Sequence, residues 1–132
     1  MDIKKSSEDY LEMMLMLREQ KGYIKSVDIA KGLGVTKPSV SYAVKRLKEN
    51  GYIIMNEDSS IELTASGLKI AEEMYERHNA LTALLMEIGV SEETACEDAC
   101  NIEHDISKES FDAIIKYAKK NLSLKHQHHI KI

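Results

Sequence analysis

Cys100, Glu103 and His104 stand in the run Ala-Cys-Asn-Ile-Glu-His at spacings i, i+3 and i+4, so one helical turn aims a thiolate, a carboxylate and an imidazole at a single point. All three are metal-ligand types, and a first-row dication such as iron or manganese takes about four to six donors. Further donors are at hand in His78 and in the pair Asp9 and Glu12, which share a helix face at i, i+3. Collecting ligands from three helices would let one ion fasten distant parts of the chain together. Each residue also has an ordinary reading. Cys100 fits a small core residue, Glu103 a solvated acid and His78 a capping or core imidazole, while Asp9 and Glu12 suit a first helical turn, where acids complement the dipole. The convergence of three ligand types on one turn favours metal binding for that trio.

A second group carries a different chemistry. Thr36, Lys37, Pro38, Ser39, Ser41 and Tyr42 crowd the start of one predicted helix, with Lys45 one turn on. Their hydroxyls can bond phosphate or base edges, Pro38 can meet a thymine methyl, and Lys37 and Lys45 can neutralise phosphates. Lys25 and Ser26, at the start of the preceding helix, offer further backbone contacts. Taken singly, these residues are helix caps and solubilising charges. Their order along the chain supports DNA binding.

The elements that must hold both groups follow from periodicity. Tyr10, Leu11, Met14, Leu15 and Leu17 form the apolar stripe of an amphipathic helix over residues 8–20, with Ser6 or Ser7 as its N-cap and Gly22 ending it. Ser26 precedes a short helix through Leu33, Gly34 turns the chain, and Thr36 caps a helix to about Asn50 that tolerates Pro38 in its first turn. Ile29, Ala30, Leu33, Val35, Val40 and Val44 supply the packing set of a helix-turn-helix. Tyr52 to Met55 and Ile61 to Leu63, separated by Asn-Glu-Asp-Ser-Ser, predict a hairpin wing. A long helix of about 65–88 follows, capped by Thr64 or Ser66 and stopped by Gly89. Ser91 begins a helix over about 92–104, and Ser107 begins a last one with Phe111, Ile114, Ile115 and Ala118 as its apolar face. The tail Lys-His-Gln-His-His shows no folding period and reads as a loose end or metal scavenger.

With 132 residues, of which 43% are hydrophobic, the chain can bury a real core but holds no large catalytic scaffold. The absence of any run of about 18 apolar residues speaks against a membrane span, and a cytoplasmic protein is expected. Cys96 and Cys100, four apart on one helix, are poorly placed for a disulfide and are read as thiols or ligands. Charge is unevenly spread. Residues 1–70 hold 11 bases and 10 acids, residues 71–112 hold two bases and 12 acids, and residues 113–132 hold five lysines and no acid. The acidic block favours cations and repels a DNA backbone. A small metallohydrolase with an open coordination position is one rival reading, though no substrate cleft or separate general base is evident. A metal-independent winged-helix DNA-binding protein is the other.

Glu8-Asp9-Tyr10-Leu11-Glu12, Val35-Thr36-Lys37-Pro38-Ser39-Val40, Leu63-Thr64-Ala65-Ser66-Gly67, Arg77-His78 and Ala99-Cys100-Asn101-Ile102-Glu103-His104 occur in the order and spacing of the diphtheria toxin repressor family. The chain resembles that family over about residues 7–120, and its length is similar to the short manganese transport regulators. The resemblance implies a mainly α fold, with a winged helix-turn-helix domain at 1–70 followed by an all-helical metal-binding and dimerisation domain at 71–132. It further implies a homodimer that represses metal-uptake genes by binding palindromic operator DNA when loaded with Fe(II) or Mn(II). Co(II), Ni(II) or Zn(II) would substitute in vitro. Asp9, Glu12, His78, Glu103 and His104 match the ligand positions of the manganese branch, whereas Cys100 stands where that branch has Glu and the iron branch has Cys. A thiolate favours softer or later metals and tilts the expectation to Fe(II). Where the iron branch carries the Glu and His of an ancillary site, this chain has Thr82 and Cys96.

Overall fold

The computed structural model describes residues 5–121, which form six helices and one antiparallel hairpin. The His-rich tail lies outside the described residues. The chain divides into two compact units, Met1–Glu72 and Glu73–Ile132.

The first unit is built on α1 (Lys5–Lys21), α2 (Ser26–Leu33), α3 (Lys37–Glu49), β1 (Ile53–Met55) and β2 (Ile61–Leu63), with the opening turns of α4 (Ala65–Glu87). Leu11, Met14, Leu15 and Leu17 of α1 are buried together with Ile24, Ile29, Val40, Val44, Leu47, Ile53 and Ile61. Each such side chain removed from water contributes about 1.5–3 kcal/mol. Between α2 and α3, Gly34 adopts the left-handed conformation (φ 67°) that closes a helix tightly, and its N–H donates to Ala30 O. Thr36 caps α3, its Oγ1 accepting from Ser39 N at 3.3 Å, and Pro38 sits in the first turn. The hairpin pairs Ile53 with Leu63 and Met55 with Ile61, and Ile61 N also donates to Ile24 O at 2.8 Å, tying the wing to the chain before α2. This is the winged helix-turn-helix expected from periodicity.

Several details differ. Ser6 and Ser7 lie inside α1, which is already helical at Lys5. Ser26 is the first residue of α2 instead of its cap, a position that Lys25 holds without a side-chain bond. Val35 is 36% exposed and not part of the core, because the chain leaving Gly34 turns it outward before α3 begins.

The second unit comprises the remainder of α4, α5 (Glu92–Ile102) and α6 (Lys108–Asn121) around a cluster of Ala80, Leu81, Ala99, Phe111 and Ile115. Ala80 and Ala99 are fully buried, and their small side chains let helices pack closely around Phe111. Ser91 caps α5 through Thr94 N, and Ser107 Oγ accepts from Ser110 N at 3.1 Å. Ile114, read as core, is 39% exposed, since Phe111, Ile115 and Ala118 suffice for the buried stripe of α6. Among the described residues no helix is long and apolar enough to cross a membrane.

Candidate metal centre and nucleic-acid interface

In the second unit the carboxylate of Glu103 is completely buried. It faces two imidazoles: Oε2 lies 3.5 Å from His78 Nδ1 on α4, and Oε1 lies 3.4 Å from His104 Nε2. These separations exceed the roughly 2.7–2.9 Å of a charge-assisted hydrogen bond. Each separately matches the spacing of two donors that lie about 2.1 Å from one ion. One carboxylate and two imidazoles also form an oxygen and nitrogen set of the kind first-row dications accept. The residue types, and the spacing of each imidazole to its own carboxylate oxygen, are compatible with a metal.

The local backbone departs from the regular turn expected for the trio. α5 ends at Ile102, Glu103 occupies the C-cap with helical angles (φ −57°, ψ −29°), and His104 lies in the turn beyond. Glu103 is thereby turned inward, whereas Cys100, one turn earlier on α5, is exposed. Asp9 and Glu12 stand on α1 in the first unit, Asp9 half-buried and Glu12 only 6% exposed. Thr82 and Cys96 line, with His78, Met86 and Glu92, a cavity of about 140 Å³.

One residue that spacing did not single out for a role takes part. Arg77, next to His78 on α4, donates from Nη1 to Glu103 O at 3.1 Å and to Ile106 O at 2.8 Å. Its guanidinium also lies 5.5 Å from the centroid of the Phe111 ring. The sequence signals were its place beside a candidate ligand and in the family motif Arg77-His78, neither of which names its partners, 26 and 29 residues away.

The other group of candidates lies on the first unit's surface. Thr36, Lys37, Pro38, Ser39, Ser41, Tyr42 and Lys45 are all exposed, while Val40, Val44 and Leu47 hold the opposite face of α3 in the core. Lys25 is exposed and Ser26 half-buried at the start of α2. Arg46 joins this surface unforeseen: its Nη1 donates to Tyr42 Oη at 3.3 Å, and its guanidinium lies 5.8 Å from the Tyr42 ring centroid.

Residues 2–61 match the N-terminal DNA-binding domain of iron-dependent repressors, and residues 64–131 match the metal-binding and dimerisation domain of the same proteins. The chain is 39% identical over 114 residues to the transcriptional regulator MntR of Escherichia coli O6:H1, covering 86% of this chain and 74% of that one. It is 40% identical over 109 residues to the HTH-type transcriptional regulator MntR of Bacillus subtilis (strain 168), covering 83% and 77%. Among solved structures it is similar to the manganese regulator SloR, with TM-score 0.71 and 28% identity, covering 89% of this chain and 55% of that one. A winged DNA-binding domain followed by a helical metal-binding domain defines a metal-dependent transcriptional regulator and not an enzyme. The chain belongs to the iron-dependent repressor family.

Proposed function

We propose that the protein is a cytoplasmic repressor of metal-uptake genes that binds palindromic operator DNA as a homodimer when loaded with Fe(II) or Mn(II). The observation that carries this reading is the buried Glu103 carboxylate held 3.4–3.5 Å from both His104 and His78. Asp9 and Glu12 of α1 would contribute carboxylates to the ion, and the exposed Cys100 a thiolate. When bound, the dication would supply positive charge to the carboxylates and act as the link between metal supply and DNA binding. Iron is favoured by the thiolate and by the family's description, manganese by the carboxylate-rich remainder and by the similarity to a manganese regulator.

The chain's residues divide the work. Thr36, Ser39, Ser41 and Tyr42 meet base edges and Lys25, Ser26, Lys37 and Lys45 meet phosphates, with Pro38 against a thymine methyl. In a dimer the two α3 helices must lie about 34 Å apart to enter successive major grooves. Without the ion, Asp9, Glu12 and Glu103 repel one another and that separation is not fixed. A bound dication would offset that repulsion and so help set the separation. The bound ion acts only by its preference for the DNA-competent arrangement, so metal and operator must tighten one another equally.

The test is an operator-binding assay with Fe(II), Mn(II), Co(II), Ni(II) and Zn(II), run on the wild type and on Glu103→Gln. The variant is expected to keep its helical content and lose metal-stimulated binding. Stimulation retained by Glu103→Gln, or equal wild-type affinity with chelator and with metal, refutes the reading; the latter points instead to a metal-independent DNA-binding protein.

A further inference from the structure

α5 ends at Ile102, whose carbonyl accepts from Asp105 N at 2.9 Å and Ile106 N at 3.1 Å, so the segment carrying Glu103 and His104 is a single turn continued beyond the regular helix. Arg77 closes this arc. One nitrogen, Nη1, bonds the carbonyls of Glu103 and Ile106 together, holding both ends of the turn that contains His104 and Asp105. A guanidinium at a helix C-terminus satisfies such carbonyls and complements the dipole. Arg77 is itself fixed against the Phe111 ring and rises from α4, whose Ala80 and Leu81 sit in the same buried cluster as Phe111. The next residue, His78, faces the Glu103 side chain. Two consecutive residues of α4 thus meet Glu103, Arg77 bonding its backbone carbonyl and His78 facing its carboxylate.

A positive guanidinium this close to a cation site opposes metal binding by simple repulsion. Its place is explained by the carbonyls it orients. From this geometry we infer that Arg77 is the positioning residue of the metal centre, setting the angle at which Glu103 and His104 meet the ion without ligating it. Groups that orient metal ligands in this way typically change metal affinity by about 10–100-fold when removed.

The inference rests on the metal-site reading above, and the experiment separates the two. Mn(II) and Co(II) are titrated into the full chain as wild type, Arg77→Met, Arg77→Lys and Leu81→Val, with thermal midpoints measured without metal. Arg77→Met should weaken both metals by about 10–100-fold and alter the Co(II) absorption bands that report ligand geometry. Arg77→Lys, which keeps a donor, should recover part of the loss and keeps the test open should the Met variant not fold. Leu81→Val loosens the same cluster without touching the turn, and should lower the midpoint with little change in metal affinity or Co(II) spectrum. A wild type that takes up neither metal overturns the metal reading and this inference together. A wild type that binds while Arg77→Met and Arg77→Lys bind equally well overturns the inference alone, as does an affinity loss that Leu81→Val reproduces.

Discussion

The two units hold their candidate chemistry at different depths. In the first, the residues proposed to meet DNA are exposed along α3, and the core beneath them is apolar. In the second, the residue proposed at the centre of the metal site, Glu103, is fully buried, in a unit whose buried cluster has Leu81, Phe111 and Ile115 as its large apolar groups. Recognition of DNA is therefore added onto a fold that stands without it. The metal recognition proposed for Glu103 would be part of the interior, where a change of that ligand is also a change of packing.

The largest effect that would test this contrast is expected from Phe111→Ala. Removing the ring deletes the centre of the second cluster and the platform under Arg77, a change that costs about 3–5 kcal/mol in a buried site. Chemical denaturation should show the loss, and hydrogen exchange should place it in α5, α6 and the part of α4 that faces them. Equal loss of protection in α2 and α3 would break the contrast. Gly67→Ala is the counterpart in the first unit. A Cβ at this position of α4 meets the carbonyl oxygen of Tyr52, which is backbone and has little freedom to move, because the same oxygen accepts from Thr64 N at 3.0 Å. About 3 kcal/mol of destabilisation follows from such overpacking. An Ala variant as stable as the wild type would show that the junction of wing and α4 is looser than its hydrogen bonds indicate.

Much of the first unit was legible because its signals are local. Gly34, Thr36 and Pro38 act within one turn of themselves, and the apolar spacing of α1 and α3 reports burial directly. Val35 and Ile114 were misjudged because apolar type was taken for burial at positions where the chain turns or the stripe is already filled. In the second unit the ligand types were visible, but the end of α5 at Ile102 was not, since no Gly or Pro marks it there. Arg77 was the least legible. Its contacts are main-chain oxygens far along the chain, and carbonyls carry no sequence identity. Arg46 carries no motif of its own in the sequence, although Tyr42 lies one helical turn before it.

Lys37→Gln sharpens the same contrast from the DNA side. Lys37 is exposed on the first turn of α3, so its loss should leave the stability of the chain within about 0.5 kcal/mol of wild type. Operator affinity should fall across all sequences, and the slope of log K against log salt should shrink by about 1 per subunit. An unchanged slope would remove Lys37 from the phosphate contacts.

The smallest effect concerns the wing turn. Ser59 there adopts φ 70°, a left-handed conformation that a side chain resists, and the carboxylate of Asp58 holds the turn by accepting from Ser60 Oγ at 2.6 Å and from Ser60 N at 3.0 Å. Those bonds, the hydroxyl first and the amide next, with Lys25 adding a weaker attraction, lower the Asp58 pKa below its ordinary 3.8. A depressed folded-state pKa means that the contribution is fully present above the unfolded value and is lost as pH falls through the folded one. The wing turn should therefore keep its geometry down to about pH 4 and loosen only below it. Asp58 is exposed, so the change will be local and is best read by following its carboxyl resonance and the Ser60 amide during an acid titration. A midpoint at or above 3.8 would show that the turn does not hold the carboxylate. The Asp58→Asn variant separates charge from shape. An asparagine can still accept from the Ser60 amide, so an intact turn that no longer responds to acid would assign the pH dependence to the carboxylate alone.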